Sequence, residues 1–206
     1  MLAANLFGNA DPAGRRIGTF HHAWFAAIEW LDVGEPTDEA LRGIARQLPY
    51  EGEDLEEQIV VFRAALSRPA VRTLLSKASY PRAQRVETER PFVVRDGSRM
   101  VSGRLDRIVW LENEDGTLAA GVIDYKTDAI SVAELPERVE YYRPQVEAYL
   151  RAVASLGSLP ASRVTAVLSF YRHRPNRTHL CTGAARQPSH TKGCAHERVV
   201  VTRWSR

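Results

Sequence analysis

Lysine is almost missing from this chain of 206 residues: Lys77, Lys126 and Lys192 are the only ones, although lysine and arginine together number 28. Positive charge is therefore carried by guanidinium groups, which suit bidentate contacts with carboxylates and phosphates, and a lone lysine in a strand stands out. Cysteine is scarce too, with only Cys181 and Cys194. Two thiols make no disulfide framework, and a domain of this size needs none, so a reducing, cytoplasmic setting is expected. No apolar run approaches the length of a membrane span, and the stretch from Met1 to Phe7 lacks the basic start and long apolar centre of a signal peptide. The phosphate-loop pattern G-x-x-x-x-G-K-S/T is absent, which excludes an ATP-driven motor within these residues.

What remains is an ordinary globular composition with a formal charge of +3 and a pI near 9.0, which favours a polyanionic partner without naming one. The most informative stretch is Met100 to Thr127. Two apolar-rich runs, Met100 to Leu111 and Thr117 to Tyr125, flank Glu112-Asn113-Glu114-Asp115-Gly116 and predict a β-hairpin. A three-residue loop of Glu114, Asp115 and Gly116 puts glycine at the left-handed position and pairs Asn113 with Thr117. In that register Asp106 falls opposite Asp124, and the strand period of two adds Lys126 to the same face.

Like charges facing each other destabilise a sheet, and Gly121-Val122-Ile123 predicts a buried strand, where an unpaired carboxylate is costly. A hard divalent cation held by Asp106 and Asp124 compensates both, with Lys126 beside it as a point charge for an anionic substrate. The alternative is a solvated hairpin face with an ordinary lysine–aspartate pair.

Four ordered boxes decide between these. Gly18-Thr19-Phe20-His21-His22, Gly103-Arg104-Leu105-Asp106-Arg107, Asp124-Tyr125-Lys126-Thr127 and Gln145-Val146-Glu147-Ala148-Tyr149 together resemble the nuclease domain of the RecB/AddA group in the PD-(D/E)XK superfamily. The resemblance covers roughly residues 15 to 171. It implies a restriction-endonuclease-like α/β core, a mixed central sheet flanked by helices, with an N-terminal helical layer. It implies Mg (or Mn) held by His22, Asp106, Asp124 and the Tyr125 main-chain carbonyl. Lys126, Asp124 and Asp106 become the catalytic residues, and Gln145, Tyr149 and Arg107 contact the DNA substrate. Glu89, in Glu89-Arg90-Pro91-Phe92, is a further candidate for the cluster. The activity implied is phosphodiester hydrolysis in DNA, single-stranded rather than duplex, in a recombination-repair helicase-nuclease whose helicase is a separate domain or subunit. Two other readings stay open: a catalytically silent DNA-binding or scaffold module, and a metal-bound hydrolase of another substrate.

Along the chain, residues 1–14 predict a loose leader, residues 15–172 the nuclease domain and residues 173–206 an irregular or disordered tail. Apolar spacing predicts a helix from Gly18 to Leu31 with Thr19 as N-cap, carrying His22 and a structural or DNA-facing His21. Further helices are expected after Thr37, over Leu55 to Leu66 and around Pro69 to Lys77. A strand is expected over Gln84 to Arg95, a long helix from Val132 or Glu137 to Ala154, and a last strand over Arg163 to Tyr171. In the tail, Cys181, His190, Cys194 and His196 lack a regular zinc spacing, two cysteines cannot hold a four-cysteine iron–sulfur cluster, and Val199-Val200-Val201 suits an edge strand.

Overall fold

The computed structural model describes residues 4–5, 12–48, 55–128, 130–131, 133–171 and 200–205. Helices α1 (Pro12–Ala26), α2 (Asp38–Ala45), α3 (Leu55–Leu66) and α4 (Pro69–Leu75) precede strands β2 (Ala83–Asp96), β3 (Arg99–Glu112) and β4 (Leu118–Lys126). The two-residue strand β1 (Ala4–Asn5) lies ahead of α1, and α5 (Leu135–Gly157), β5 (Val164–Phe170) and β6 (Val200–Ser205) follow β4. Four central strands form a mixed sheet: β2 and β4 flank β3 antiparallel, and β5 runs parallel to β4 after the crossover through α5. β6 adds antiparallel to the outer edge of β5, while β1 pairs in parallel with Val101 and Ser102 of β3. This is the expected α/β architecture with both sheet faces covered.

The covering produces two cores. Val109, Ile123 and Tyr125 pack with the aromatic centre of the helical layer, Phe20, Trp24, Phe25 and Phe62. Ile108, Trp110, Ala120 and Val122 pack under α5 against Val146, Tyr149 and Val153. Alternate residues of β4 thus go to opposite layers, as the strand period requires. No solvated hairpin face exists for Asp124 and Lys126 to occupy, which removes the surface-charge alternative.

Local signals account for most boundaries. Thr37 caps α2, its hydroxyl accepting from the Ala40 N–H at 3.2 Å. Pro136 is accommodated in the first turn of α5, where its missing N–H has no helical partner to lose. The first helix departs from expectation. It begins at Pro12, so Thr19 lies inside it rather than capping it, and it stops at Ala26. Ile28 and Leu31 continue the apolar spacing, but as buried residues of the following turn. Beyond the helix end, Ile28 O at 2.7 Å and Glu29 O accept hydrogen bonds from the Arg107 guanidinium.

Among the described residues no helix is long and apolar enough to cross a membrane. Cys181, His190, Cys194 and His196 lie outside the described residues.

Candidate active site

The turn between β3 and β4 sets the site. Gly116 takes φ +78°, and the Asn113 N–H donates to Thr117 O at 2.8 Å. Pairs then run from Glu112↔Leu118 to Arg107↔Ile123, the register expected from the glycine position. Pairing stops one step short of the two aspartates, where β3 parts from β4. There the Tyr125 N–H donates to Asp106 Oδ2 at 2.8 Å, so a side-chain carboxylate takes the place of a ladder carbonyl.

On the far side of β3 the pairs Thr88↔Arg107 and Arg90↔Leu105 leave Glu89 across from Asp106 but unpaired. Glu89 has φ +49°, a left-handed conformation that costs a non-glycine residue roughly 1–3 kcal/mol and persists only where the surroundings enforce it. Its Oε1 is buried with no hydrogen-bond partner among the described residues. From α1, His22 Nδ1 comes within 3.1 Å of Asp106 Oδ1. One ligand atom each from His22, Glu89 and Asp106 lie within 4.8 Å of one another. An imidazole nitrogen and carboxylate oxygens at this spacing fit a divalent cation, and the orphaned Glu89 oxygen is a further donor for it.

Electrostatics reflect the crowding. Burial opposes charging His22, but the Asp106 carboxylate and its hydrogen bond, helped by Asp124 and Glu89, hold the imidazolium up to about 9. Asp106 is held low: burial raises it, yet His22 and Lys126 outweigh that. Burial pushes Asp124 up against the pull of Lys126, with Asp106 adding to the rise. Glu89 is also raised, by burial first and Asp106 second. Four neighbouring acids and bases are each displaced from their ordinary range, the pattern functional sites show.

Asp124 and Lys126 form the second half of the site, on the α5 side of β4. Lys126 Nζ lies 2.6 Å from Asp124 Oδ2 and donates to Gln145 Oε1 at 2.9 Å. Gln145 Nε2 in turn donates to the Tyr149 hydroxyl at 2.5 Å, so both residues of the helix box are turned inward, Gln145 on the lysine and Tyr149 behind Gln145. The Tyr125 side chain turns to the opposite layer and stacks on Phe25 at 4.0 Å, leaving only its main chain at the cluster. His21 is buried, 2.8 Å from the Tyr171 hydroxyl, and is structural.

Arg107 is not brought to the site. It is fully buried in the opposite layer, bound to the turn after α1 and lying 5.1 Å from the Trp30 ring centre. Its expected contact with DNA is therefore corrected to a buried contact with the chain just beyond α1, the helix bearing His22. Sequence reasoning also missed the contact that Tyr142 makes with Lys126, although the three-residue spacing to Gln145 places both on one helix face.

A half-buried histidine, three carboxylates and one lysine are gathered where β3 parts from β4, and His22, Glu89 and Asp106 among them could hold a metal ion. The PD-(D/E)XK nuclease superfamily model matches residues 3–202, and the chain belongs to that superfamily. No curated protein matches it. Among solved structures it is similar to protein VC1899 from Vibrio cholerae, at 15% identity over 83% of this chain and 50% of that one, with a TM-score of 0.29. The chain thus spans half the length of that structure, and a likeness of this size carries no functional information.

Proposed function

We propose that this chain is a divalent-metal-dependent deoxyribonuclease, the nuclease module of a cytoplasmic recombination-repair helicase-nuclease. The observations that carry this reading are the His22, Glu89 and Asp106 ligand atoms within 4.8 Å of one another, and the Asp124–Lys126 pair at 2.6 Å, whose charges act on Asp106 and His22. His22, Asp106, Asp124 and the Tyr125 carbonyl would hold Mg or Mn, with Glu89 as a further carboxylate. The cation supplies Lewis acidity, drawing charge from the phosphate and making water a stronger acid. Lys126 orients the attacking water and offsets the charge that grows on the phosphate oxygens. Gln145 and Tyr149 keep the ammonium group in place and help to set the DNA backbone. The helicase partner and the preference for single strands rest on the four sequence boxes and on the absence of a phosphate loop from this chain.

The test is cleavage of single-stranded DNA, duplex DNA and RNA with Mg, with Mn and with chelator. Cleavage of DNA that chelator stops, and that Asp124→Ala or Lys126→Ala abolishes in a folded protein, is the expected result. DNA binding without cleavage under any metal supports a silent scaffold module instead, and an intact Asp124→Ala activity overturns the assignment.

A further inference from the structure

Lys126 has one contact that neither the metal cluster nor the glutamine–tyrosine box accounts for. Its ammonium nitrogen lies 3.9 Å from the centre of the Tyr142 ring, within the range of a cation–π contact. The ring is fixed in turn: the Tyr142 hydroxyl donates to Asp128 Oδ2 at 2.6 Å, on the segment that leaves β4 just after Lys126. Burial first, and then that carboxylate, push the phenol well above its ordinary range, so it stays protonated as the donor. Tyr142 also meets Tyr141 edge-on at 5.1 Å and Phe170 of β5 at 6.1 Å, which restrict the ring from two further directions.

A lysine side chain has four rotatable bonds, and a flexible ammonium group serves badly as a fixed charge unless something confines it. Asp124 and Gln145 supply two polar contacts. A third surface is required to confine a point in space, and Tyr142 is that surface. We infer that Tyr142, latched by Asp128, is a positioning residue that holds the Lys126 ammonium group between Asp124 and Gln145. It touches no reacting atom and acts through the lysine. The contact is a property of the folded chain whether or not the centre cleaves DNA. Its effect on turnover rests on the nuclease reading above.

The scarcity of lysine makes a direct test practical. A protein labelled with 13C-lysine gives three ε-methylene signals, from Lys77, Lys126 and Lys192, assignable by single lysine-to-arginine changes. The Lys126 signal is expected to be shifted upfield by the Tyr142 ring. Tyr142→Leu should return it towards the free-lysine position, while Tyr142→Phe and Asp128→Ala, which each keep a ring but lose the latch, should both reduce it in part. Lys77, whose ammonium group lies 5.1 Å from the Trp30 ring centre, is the internal control and should not move. In cleavage assays Tyr142→Leu should lower kcat by about 10- to 100-fold, with KM and Mg affinity within about twofold, the size of loss that an ångström-scale misplacement produces. Tyr142→Phe, which keeps the ring without its latch, should recover part of it. A Lys126 signal unchanged by both Tyr142→Leu and Asp128→Ala overturns the proposal, as does a folded Tyr142→Leu protein with wild-type kcat. If the parent protein cleaves nothing, the nuclease reading falls, while the spectrum still decides whether Tyr142 places the lysine. Asp128→Ala, which leaves the ring in the core, serves the same purpose should Tyr142→Leu fail to fold.

Discussion

Asp106 faces two ways: one carboxylate oxygen accepts from the Tyr125 N–H at 2.8 Å, and the other lies 3.1 Å from His22 Nδ1. The same side chain therefore closes the gap where β3 leaves β4 and joins the helical layer to the sheet. The two duties separate by substitution. Asp106→Asn keeps an acceptor for Tyr125 but loses the charge, so it should fold with little loss of stability while Mg binding by calorimetry disappears. Asp106→Ala leaves the buried Tyr125 N–H unpaired and should cost about 1–3 kcal/mol in urea unfolding as well.

Glu89 should behave oppositely with and without metal. Its carboxyl is raised by burial and by Asp106, so its ionisation is harder in the folded chain than in the unfolded one. Stability is thus present at low pH and is lost as pH rises through the unfolded and then the folded pKa. At neutral pH in chelator, Glu89→Gln should match or exceed the parent in stability, by up to about 1 kcal/mol. With saturating Mg the order should reverse, because the parent gains more from the ion. Thermal melts in the two buffers read this directly.

Arg107 should reveal itself as a positioning group for α1. Arg107→Leu leaves the carbonyls of Ile28 and Glu29 without their donors and should cost about 3 kcal/mol. Arg107→Lys should recover little, since one ammonium cannot replace the two-pronged contact. Because α1 carries His22, the surviving folded protein should bind Mg more weakly while its KM for DNA stays unchanged. A KM effect alone would instead mark a DNA contact.

Asp32 gives a pH dependence away from the site. Its carboxylate accepts from the Lys77 N–H at 2.7 Å, the Ser76 hydroxyl at 2.8 Å and the Ala78 N–H at 3.1 Å, capping the short turn Lys77–Ser79. Those bonds, the Lys77 N–H foremost, hold its pKa down to about 2 from 3.8. A carboxyl with a depressed folded pKa stabilises above the unfolded value and loses that contribution as pH falls through the folded one. The stability difference between the parent and Asp32→Asn should therefore be constant above about pH 4 and close towards about pH 2, read from urea midpoints.

The hairpin was the most legible part of the chain because its register depends on one residue. Gly116 sits where only a left-handed conformation closes the loop, and counting from it places every pair down to Arg107↔Ile123. His22, Lys126, Gln145 and Tyr149 were found through their boxes, and the structure brings all four to the cleft. Two errors have definite causes. Apolar spacing ran the first helix on to Leu31 because periodicity cannot tell a buried turn from a helical one. Arg107 is implied as a DNA contact by its place in the box Gly103-Arg104-Leu105-Asp106-Arg107, although the strand period sends adjacent side chains to opposite faces. The left-handed backbone at Glu89 had no local signal, since it lies within an otherwise regular strand and is imposed by what surrounds it.

The cluster draws its donors from positions 22, 89 and 106, on a helix and two strands that are remote from one another along the chain. A ribosome-bound chain that has not yet extruded Asp106 has no such centre, and a denatured one has none either. The proposed metal centre therefore forms only with the completed tertiary structure, so a half-made or unravelling copy does not carry it.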